Sequence, residues 1–387
     1  MPAGQDGECT LGSERRPDGV ATLRWGKRDD MVVHEWEPFN AEPPPGVLAE
    51  APITPVEAFY SRNHGPVPDT DRDSWRLAVA GLVDRPLSLS LSDLRRDFEP
   101  CTLAVTLQCA GNRRAGMAAV REIPGEDPWG DGATSTAEWT GARLADVLVA
   151  AHPSGRAAHV AFEAVDVSPL ARPAQPYGAS IPFSKASAPE VLLAWAMNGR
   201  PLPAAHGAPL RVVVPGYIGA RSVKWVRRVV ARAEPSDNYF QAVAYRLLPP
   251  DADPDRAGPG DGLSLGPIAL NSAILRPADG TSVPPGRTTV RGYALAGEHR
   301  RVARVDLSAD GGASWRQAEL DPAAGAYTWQ LWHADVTLPP SSDVELVARA
   351  WDDTGALQPE SPRALWNPKG YANNSWPRAA IHISPSP

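Results

Sequence analysis

Two domains are predicted from the sequence: a first that mixes strands and helices, and a second folded as an antiparallel β-sandwich of immunoglobulin-like type. The chain has 387 residues, enough for two or three hydrophobic cores. Residues 249–267 are dense in proline, glycine and aspartate, which marks the strongest domain boundary. After them, short segments of alternating apolar and polar residues recur at near-regular spacing, as antiparallel strands do. We therefore predict an extended or poorly ordered N-terminal arm over 1–31, a first domain over 32–262 and a second over 263–387.

In the first domain, short strands are interspersed with a few helices. Four segments have the alternating or β-branched apolar character of strands: 75–83, 103–107, 160–165 and 210–214. A helical period covers 89–98, with Ser90 or Ser92 as its N-cap, and 141–150 is the clearest helix. Glycine, proline and aspartate between them, at 124–138, predict a loop.

Hairpins are predicted in both domains. The apolar run 191–197 is followed by Asn198 and Gly199, the favoured pair for a type I′ turn, although a helix is the competing interpretation. Strands of the second domain are predicted at 288–295, 302–308, 314–320, 327–332, 344–351 and 380–383. The turn Asp-Gly-Gly at 310–312 joins two of them.

Composition and charge argue against several classes of function. The formal net charge of −7 argues against non-specific nucleic-acid binding. No apolar run is long enough to cross a bilayer. Arginines at 15–16 could open an export signal, but Pro-Asp-Gly at 17–19 stands where its apolar segment should be. The three cysteines form neither a disulfide framework nor a zinc spacing: Cys9, Cys101 and Cys109. We expect a cytoplasmic protein, or a periplasmic one if a leader has been removed.

One cysteine stands in a setting that favours reactivity. Cys109 follows the strand at 103–107, and Arg113 and Arg114 follow the turn at 110–112. Nearby cations favour the thiolate, which is both a metal ligand and a nucleophile. A lone cysteine after a strand is nevertheless more often an inert buried residue, so the turn alone assigns no role.

Other cations of the first domain also fall in loops that follow strands. They are Arg62 and His64, His206 and Arg211, and Arg221 and Lys224. The glycines of 215–224 allow backbone N–H groups to approach a phosphate closely. With Cys109, this combination suggests a metal cofactor that carries a phosphate, and an anionic substrate. A Cys–His nucleophile pair is an alternative, but it lacks a third member; Walker, GxGxxG and HExxH motifs are not found.

Four segments closely resemble motifs of the sulfite oxidase family of molybdenum enzymes, a fold that eukaryotic assimilatory nitrate reductases share. They are 60–64 (Tyr-Ser-Arg-Asn-His), 107–114 (Leu-Gln-Cys-Ala-Gly-Asn-Arg-Arg), 177–182 (Tyr-Gly-Ala-Ser-Ile-Pro) and 219–225 (Gly-Ala-Arg-Ser-Val-Lys-Trp). The resemblance extends over roughly 32–387. It implies a mixed α+β domain of sulfite-oxidase type that binds molybdopterin, followed by an immunoglobulin-like domain that forms a homodimer.

The resemblance also implies the residues that hold the cofactor. Cys109 matches the protein's only ligand to molybdenum. The residues that match the molybdopterin-binding positions are Tyr60, Ser61, Arg62, Asn63, His64, Asp166, His206, Arg211, Ser222, Val223 and Lys224.

The activity implied by the resemblance is oxidation of sulfite to sulfate, by oxygen-atom transfer at a molybdenum–oxo centre. The residues that match the catalytic positions are Cys109, Arg62, Arg114, Tyr245 and Lys369. No Cys-x-x-Cys-His is present, so no haem is expected and electrons would pass to a separate acceptor such as a cytochrome or oxygen. One alternative is the same fold acting on another oxyanion or a sulfoxide. The other is a structural protein in which Cys109 is inert.

The sequence departs from the family pattern at three positions around the implied substrate pocket. Lys369 stands where sulfite oxidases have an arginine, and it keeps the charge without the planar fork. Pro124 replaces a second basic residue, although Trp129 still matches a pocket tryptophan, and Ala244 replaces an acidic residue before Tyr245.

Overall fold

Strands dominate the structure, a computed structural model that describes residues 22, 24–340 and 343–384. The strands up to residue 264 are β1 Val32–Glu35, β2 Asn40–Glu42, β3 Leu77–Gly81, β4 Leu87–Leu89, β5 Pro100–Gln108, β6 Thr134–Arg143, β7 His159–Ser168, β8 Gln175–Pro182, β9 Leu192–Met197, β10 Arg200–Pro201, β11 Arg211–Val213, β12 Val226–Arg232, β13 Arg246–Leu247 and β14 Leu263–Ser264. The α-helices are α1 Pro45–Leu48, α2 Leu91–Asp97, α3 Arg114–Ala118, α4 Leu144–Ala150 and α5 Phe183–Ala186. Single 3-10 or π turns lie at Val56–Ala58, Ala204–His206, Gly219–Arg221, Phe240–Ala244 and Pro362–Ala364.

The first domain contains two five-stranded sheets, one entirely antiparallel and one with a single parallel pair of strands. One sheet has the order β10-β9-β6-β5, and β11 also pairs with β9. The other has the order β4-β3-β12-β7-β8, in which β12 runs parallel to β3 and antiparallel to β7. This mainly antiparallel sheet with separate helices agrees with the predicted α+β class. None of the helices in the described parts of the chain is long and apolar enough to span a membrane.

Local signals predicted two of these elements correctly. Helix α2 begins after Ser90, whose hydroxyl accepts a hydrogen bond from the Asp93 N–H at 3.0 Å while the Asp93 carboxylate accepts one from the Ser90 N–H. The hairpin of β9 and β10 turns at Asn198 and Gly199, with φ values of 49° and 71°. Both values are positive, as a type I′ turn requires.

The predictions for 124–138 and 141–150 are wrong in part. Residues 134–143 form β6, so the loop ends earlier and the helix α4 starts only at Leu144. Gly141 shows the reason, because a Cβ there would lie 2.1 Å from the carbonyl oxygen of Leu193 on β9. The absence of a side chain at Gly141 allows the two backbones to approach closely. Strand β8 was also not predicted from its sequence.

In the second domain two sheets enclose one apolar core. Its strands are β15 Asn271–Arg276, β16 Ser282–Val283, β17 Gly286–Leu295, β18 Val302–Ser308, β19 Arg316–Gln317, β20 Glu319–Leu320, β21 Gln330–Leu338, β22 Val344–Asp352 and β23 Arg378–Ile383. The sheet orders are β15-β17-β21-β20 and β16-β23-β22-β18-β19. Val290 and Ala294 of one sheet pack with Leu307 and Leu346 of the other. The description of this domain as immunoglobulin-like, and the domain boundaries, stay predictions.

One predicted strand in this domain is wrong as a single element, and another is wrong in its bounds. Residues 314–320 contain β19, which pairs with β18, and β20, which pairs with β21 in the other sheet. The chain crosses between the sheets at Ala318, whose side chain is buried. The strand predicted at 327–332 begins only at Gln330 and continues to Leu338.

Residues 327–329 instead join the two domains. The Tyr327 carbonyl accepts a hydrogen bond from the Thr106 N–H at 2.9 Å, and the Trp329 N–H donates to the Thr106 hydroxyl at 2.7 Å. Trp329 also donates its indole N–H to the Pro52 carbonyl at 2.9 Å. The second domain therefore covers the edge of β5, the strand that leads to Cys109.

The N-terminal arm was predicted to be extended or poorly ordered. Residues 1–21 and 23, with Cys9, lie outside the described residues. The described part at 24–31 packs closely: Trp25 stacks on Phe39 with ring centroids 5.8 Å apart, and the Lys27 side chain is buried. Polar composition did not show that Lys27 would find buried acceptors. The extended or poorly ordered character of the arm stays a prediction.

Candidate functional site

An inner cleft of about 640 Å³, counting the solvent at its mouth, opens where β5 ends, and residues of both first-domain sheets line it. The predicted site residues that line it are Tyr60, Arg62, Asn63, His64, Cys109, Asp166, His206, Arg211, Ser222, Lys224 and Tyr245. Segment 60–64 is fixed beside this cleft because Ser61 and Ala41 exchange two backbone hydrogen bonds at 2.8 and 3.0 Å. The structure thus brings together most residues that were predicted from separate motifs.

Cys109 lies at the bottom of the inner cleft, with 7% of its surface exposed. The Gly111 N–H lies 3.4 Å from its sulfur and donates to it. Burial raises the pKa of the Cys109 thiol above its usual value, and the guanidinium groups of Arg62 and Arg114 offset this only in part. The arginines alone therefore do not produce the thiolate expected from the sequence, and a bound metal ion is the group that can.

The two arginines after the turn have separate roles. Arg113 points to the second domain, where it donates to the Ser375 carbonyl at 2.6 Å and to the Asn271 side chain at 3.2 Å. It also lies 3.1 Å from Asp131 in an ion pair. Of these two arginines, Arg114 is the one whose charge acts on the Cys109 thiol. The expectation that both lie beside the thiol is therefore wrong for Arg113.

Residues of the segment 204–224 place buried cations in one wall of the inner cleft, which we call the cationic wall. Arg211 donates to the carbonyls of His206 and Ser222, both at 3.1 Å, and burial lowers its pKa to about 10. Lys224 donates to the Asn63 side chain and, at 2.9 Å, to the Ala205 carbonyl. Burial and the charge of Arg211 lower the pKa of Lys224. A buried anion would relieve this accumulation of positive charge.

Lys27 adds to the same wall from the N-terminal segment. Its ammonium group donates to the carbonyls of Val56 and Phe59 at 2.7 Å and contacts His206 Nε2 at 2.6 Å. Burial lowers its pKa to about 7. No sequence signal pointed to Lys27, because it lies outside the motifs in a segment without periodicity.

Asp166 provides an observation on whether the groups that line this cleft suit a bound cofactor. One carboxylate oxygen, Oδ1, is buried and has no hydrogen-bond partner among the described residues. Burial raises the pKa of Asp166, while Lys224 opposes the shift. An unsatisfied buried acceptor is costly unless a ligand supplies the donor. The amino and imino donors of a pterin, with a phosphate at the cationic wall, match this set of groups.

His64 and Tyr245 are held against each other at the open end of the inner cleft. Their Nε2 and hydroxyl oxygen lie 2.6 Å apart in a hydrogen bond, and His64 also stacks on Tyr177. Burial, with Arg62 and Lys224 adding to it, lowers the pKa of His64 well below its usual value. Burial raises the pKa of Tyr245. His64 is therefore neutral and Tyr245 keeps its hydroxyl proton at neutral pH.

A second, larger cleft of about 1390 Å³, counting the solvent at its mouth, shares three lining residues with the first. We call it the outer cleft. Arg62, His64 and Tyr245 line both clefts, and Lys369 and Tyr371 of the second domain line the outer one. Tyr371 stacks on Tyr245 with ring centroids 5.5 Å apart. The outer cleft therefore leads from solvent to the end of the inner cleft.

Some predicted residues do not line either cleft. Ser61 and Val223 are buried and act through their backbone, since the Val223 carbonyl accepts from the Val212 N–H at 2.8 Å. Arg114 does not line the outer cleft itself; it pairs at 3.2 Å with Glu126, whose side chain does line it. Trp129, which matches a pocket tryptophan, is fully buried in the core.

Metal ligation from the protein alone is not supported. Across the parts of the chain that the structure describes, no three His, Cys, Asp or Glu side chains converge as a metal site would require. Cys109 would thus be a single ligand, and the remaining ligands would have to come from a cofactor. That arrangement agrees with the ligand set that the resemblance implied.

We expect the cofactor-free protein to lose stability when the pH falls from 7 to 5. Burial lowers the pKa of His64 and of His206 well below their usual value, so both stay neutral when folded. The unfolded chain takes up protons at these histidines near pH 6.5, hence the free energy of unfolding falls on acidification by up to about 1.4 kcal/mol per pH unit for each. The raised pKa values of Asp166, Asp131 and Glu35 oppose this loss, whereas the lowered pKa of Lys224 adds to it.

Denaturant titrations at several pH values check this expectation. His206→Gln should weaken the pH dependence by about half of the histidine contribution, since one of two proton sites is lost. His382→Gln is the control, because this side chain is 55% exposed in the second domain. A stability profile that stays flat between pH 7 and 5, or that is unchanged in His206→Gln, would contradict the assignment of buried neutral imidazoles.

Comparison with protein families matches both domains. Residues 64–240 match the family model described as oxidoreductase molybdopterin binding domain. Residues 265–384 match the model described as Mo-co oxidoreductase dimerisation domain. The two matches fall in the order that the sequence resemblance implied.

Individual relatives agree with this assignment. Sulfite oxidase of Homo sapiens, a mitochondrial protein, is 44% identical over 365 residues, which are 92% of this chain and 66% of the human protein. The chain thus spans just under two thirds of that relative. Sulfite oxidase of Gallus gallus is 44% identical over 90% of this chain and 77% of its own length. The crystal structure of the sulfane dehydrogenase SoxCD from Paracoccus pantotrophus matches with a TM-score of 0.78 and 25% identity, over 99% of this chain and 96% of that one. The chain therefore belongs to the sulfite oxidase family of molybdopterin-dependent oxidoreductases.

Proposed function

We propose that this protein oxidises sulfite to sulfate with a molybdenum–molybdopterin cofactor and passes the electrons to a separate acceptor. The observation that carries the proposal is the pair of connected clefts. Arg62, His64 and Tyr245 line both of them, so a cofactor in the inner cleft and an anion in the outer cleft would meet at these three residues. The names of the relatives supply the substrate, and the Arg62 guanidinium at the junction suits its negative charge.

In this proposal the cofactor occupies the inner cleft. Cys109 would bind the molybdenum, Asp166 would accept hydrogen bonds from the pterin, and Arg211, Lys224 and His206 would hold the phosphate. When bound, this cofactor supplies two-electron oxygen-atom transfer chemistry. The protein keeps the group in place because its cationic wall is buried, where charge interactions are less screened by water.

The residues of the chain then bind the substrate and control its protons. The Arg62 guanidinium offers two parallel donors to an oxyanion at the junction and stabilises its negative charge. The Tyr245 hydroxyl, oriented by His64 at 2.6 Å, can donate a hydrogen bond to the same anion. Lys369 closes the outer side from the second domain.

The family match also supports a quaternary arrangement. We propose that the second domain forms a homodimer, since residues 265–384 match a dimerisation domain. The immunoglobulin-like description of that domain, the identity of the electron acceptor and the absence of haem belong to the same proposal.

The function is tested on purified protein with two measurements. Elemental analysis should give one molybdenum per chain, and sulfite should drive reduction of ferricyanide or cytochrome c. Nitrate and a sulfoxide, assayed with a reduced electron donor, cover the alternative of a reductase with the same fold. Protein that carries molybdenum but turns over nitrate or a sulfoxide, and not sulfite, would overturn the proposed substrate. Protein that binds no molybdenum would overturn the enzyme assignment.

A further inference from the structure

A carboxylate already occupies the cationic side of the outer cleft. Glu126 Oε2 lies 3.2 Å from Nη2 of Arg114, and its Oε1 lies 3.1 Å from Nζ of Lys369. Each oxygen of one carboxylate thus pairs with a different cation. Arg114 belongs to the first domain and Lys369 to the second, so Glu126 links the domains at the cleft. Its side chain is only 15% exposed.

The rest of the Arg114 guanidinium is fixed by backbone groups. Nε donates to the Lys369 carbonyl at 2.9 Å, and Nη1 donates to the Asp127 carbonyl at 2.7 Å. Glu126 is the only carboxylate within ion-pair distance of Arg114 or of Lys369 among residues 24–340 and 343–384. The positions of both cations are therefore set by the protein, while their charge is balanced by this one side chain.

Glu126 lies close to the groups that the proposed function assigns to the substrate. It lines the outer cleft together with Arg62, Tyr245 and Lys369. Burial raises the pKa of the Tyr371 hydroxyl well above its usual value, and the negative charge of Glu126 is the second largest cause of this rise. A charge with this reach would repel an anion that entered the cleft, because the surrounding protein screens it weakly.

We propose that Glu126 is a resident counter-anion, which gives up Arg114 and Lys369 to the substrate anion when that anion binds. This inference rests on the proposed function, since it assigns the outer cleft to an oxyanion. In the empty protein, Glu126 spares two partly buried cations from being unpaired, a state that is strongly destabilising. On binding, an oxyanion with several oxygens replaces the carboxylate at both cations. The exchange lowers the affinity of the outer cleft for every anion. Anions that pair only weakly with Arg114 and Lys369 are excluded.

The test compares Glu126→Gln with the unchanged protein, both loaded with cofactor. We expect the KM for sulfite to fall by about tenfold, with a smaller change in kcat, because a charged carboxylate no longer competes with the substrate for Arg114 and Lys369. Binding of sulfate, measured by calorimetry without turnover, should tighten by a similar factor. Glu122→Gln is the matched control: it removes the same charge from an exposed position in the same loop and should change neither quantity.

A second variant separates charge from loop structure. Glu126→Asp keeps the carboxylate, so we expect its KM for sulfite to stay well above that of Glu126→Gln. An unchanged or higher KM in Glu126→Gln, with unchanged or weaker sulfate binding, would overturn the inference and make Glu126 a residue that only positions Arg114 and Lys369. If sulfite is not turned over by the unchanged protein, the proposed function fails. Sulfate binding to the two forms still decides whether Glu126 competes with an anion.

Discussion

Replacing Cys109 by serine is expected to reduce sulfite oxidation by more than about a hundredfold while the fold is kept. Even partners that only orient metal ligands cost about 10–100-fold in metal affinity or activity when they are removed, and Cys109 is assigned as the ligand itself. A serine hydroxyl has nearly the same size but is a poor substitute for a soft thiolate at a transition metal. The Gly111 N–H, 3.4 Å from the sulfur, can still donate to the serine oxygen.

The measurements are initial rates with sulfite, molybdenum content and the free energy of unfolding. We expect the stability of Cys109→Ser to differ from that of the unchanged protein by about 1 kcal/mol, an ordinary effect for a small buried substitution. Cys101→Ser is the control, because Cys101 lies near the other end of β5, about 25 Å away at the rise of an extended strand. Cys109→Ser that retains full turnover would mean that the metal is not bound through this residue.

The site was more predictable than its surroundings, for a physical reason. Groups within a segment such as 60–64 or 219–225 are brought to the cleft together by one local backbone path, so a motif specifies several contacts at once. Lys27 and Glu126 have no such local pattern. Each acquires its role only when a distant segment approaches: His206 for Lys27, Arg114 and Lys369 for Glu126. Sequence separation hides pairings of this kind.

Errors in the fold prediction have a related cause. Alternating residues indicate a strand but not the sheet it joins, which is why 314–320 was read as one strand although β19 and β20 belong to different sheets. Residues 141–143 precede helix α4 and are included in the predicted helix, yet they pair with β9, which approaches Gly141 closely, and so belong to a strand. Where the local signal itself fixes the geometry, as in the Ser90 cap and the Asn198–Gly199 turn, the predictions are confirmed.

We expect substrate binding and reaction at the junction of the two clefts to depend strongly on one side chain, that of Arg62. It lines both the inner and the outer cleft, next to Tyr245, and its guanidinium lies within electrostatic reach of Cys109. One Nη donates to the Asn63 carbonyl, so the head group is held by the backbone of its own segment. Arg62 thus lies at the junction of the two clefts, where the charge of an oxyanion would change during oxygen-atom transfer. A donor fixed in advance at such a place stabilises that charge without reorganisation.

We therefore expect Arg62→Gln to lower kcat/KM for sulfite by about 100–1,000-fold, the usual cost of losing one preorganised donor at a developing charge. Both kcat and KM should change, because the guanidinium serves binding and the reaction. Arg172→Gln is the matched control: Arg172 lines only the outer cleft and is exposed, so screening by water should keep its effect within about twofold. Steady-state kinetics of Arg62→Gln and Arg172→Gln, measured on protein of equal molybdenum content, distinguish the effects of the two substitutions. Equal losses in both variants would mean that general positive charge at the mouth, rather than Arg62 at the junction, governs the reaction.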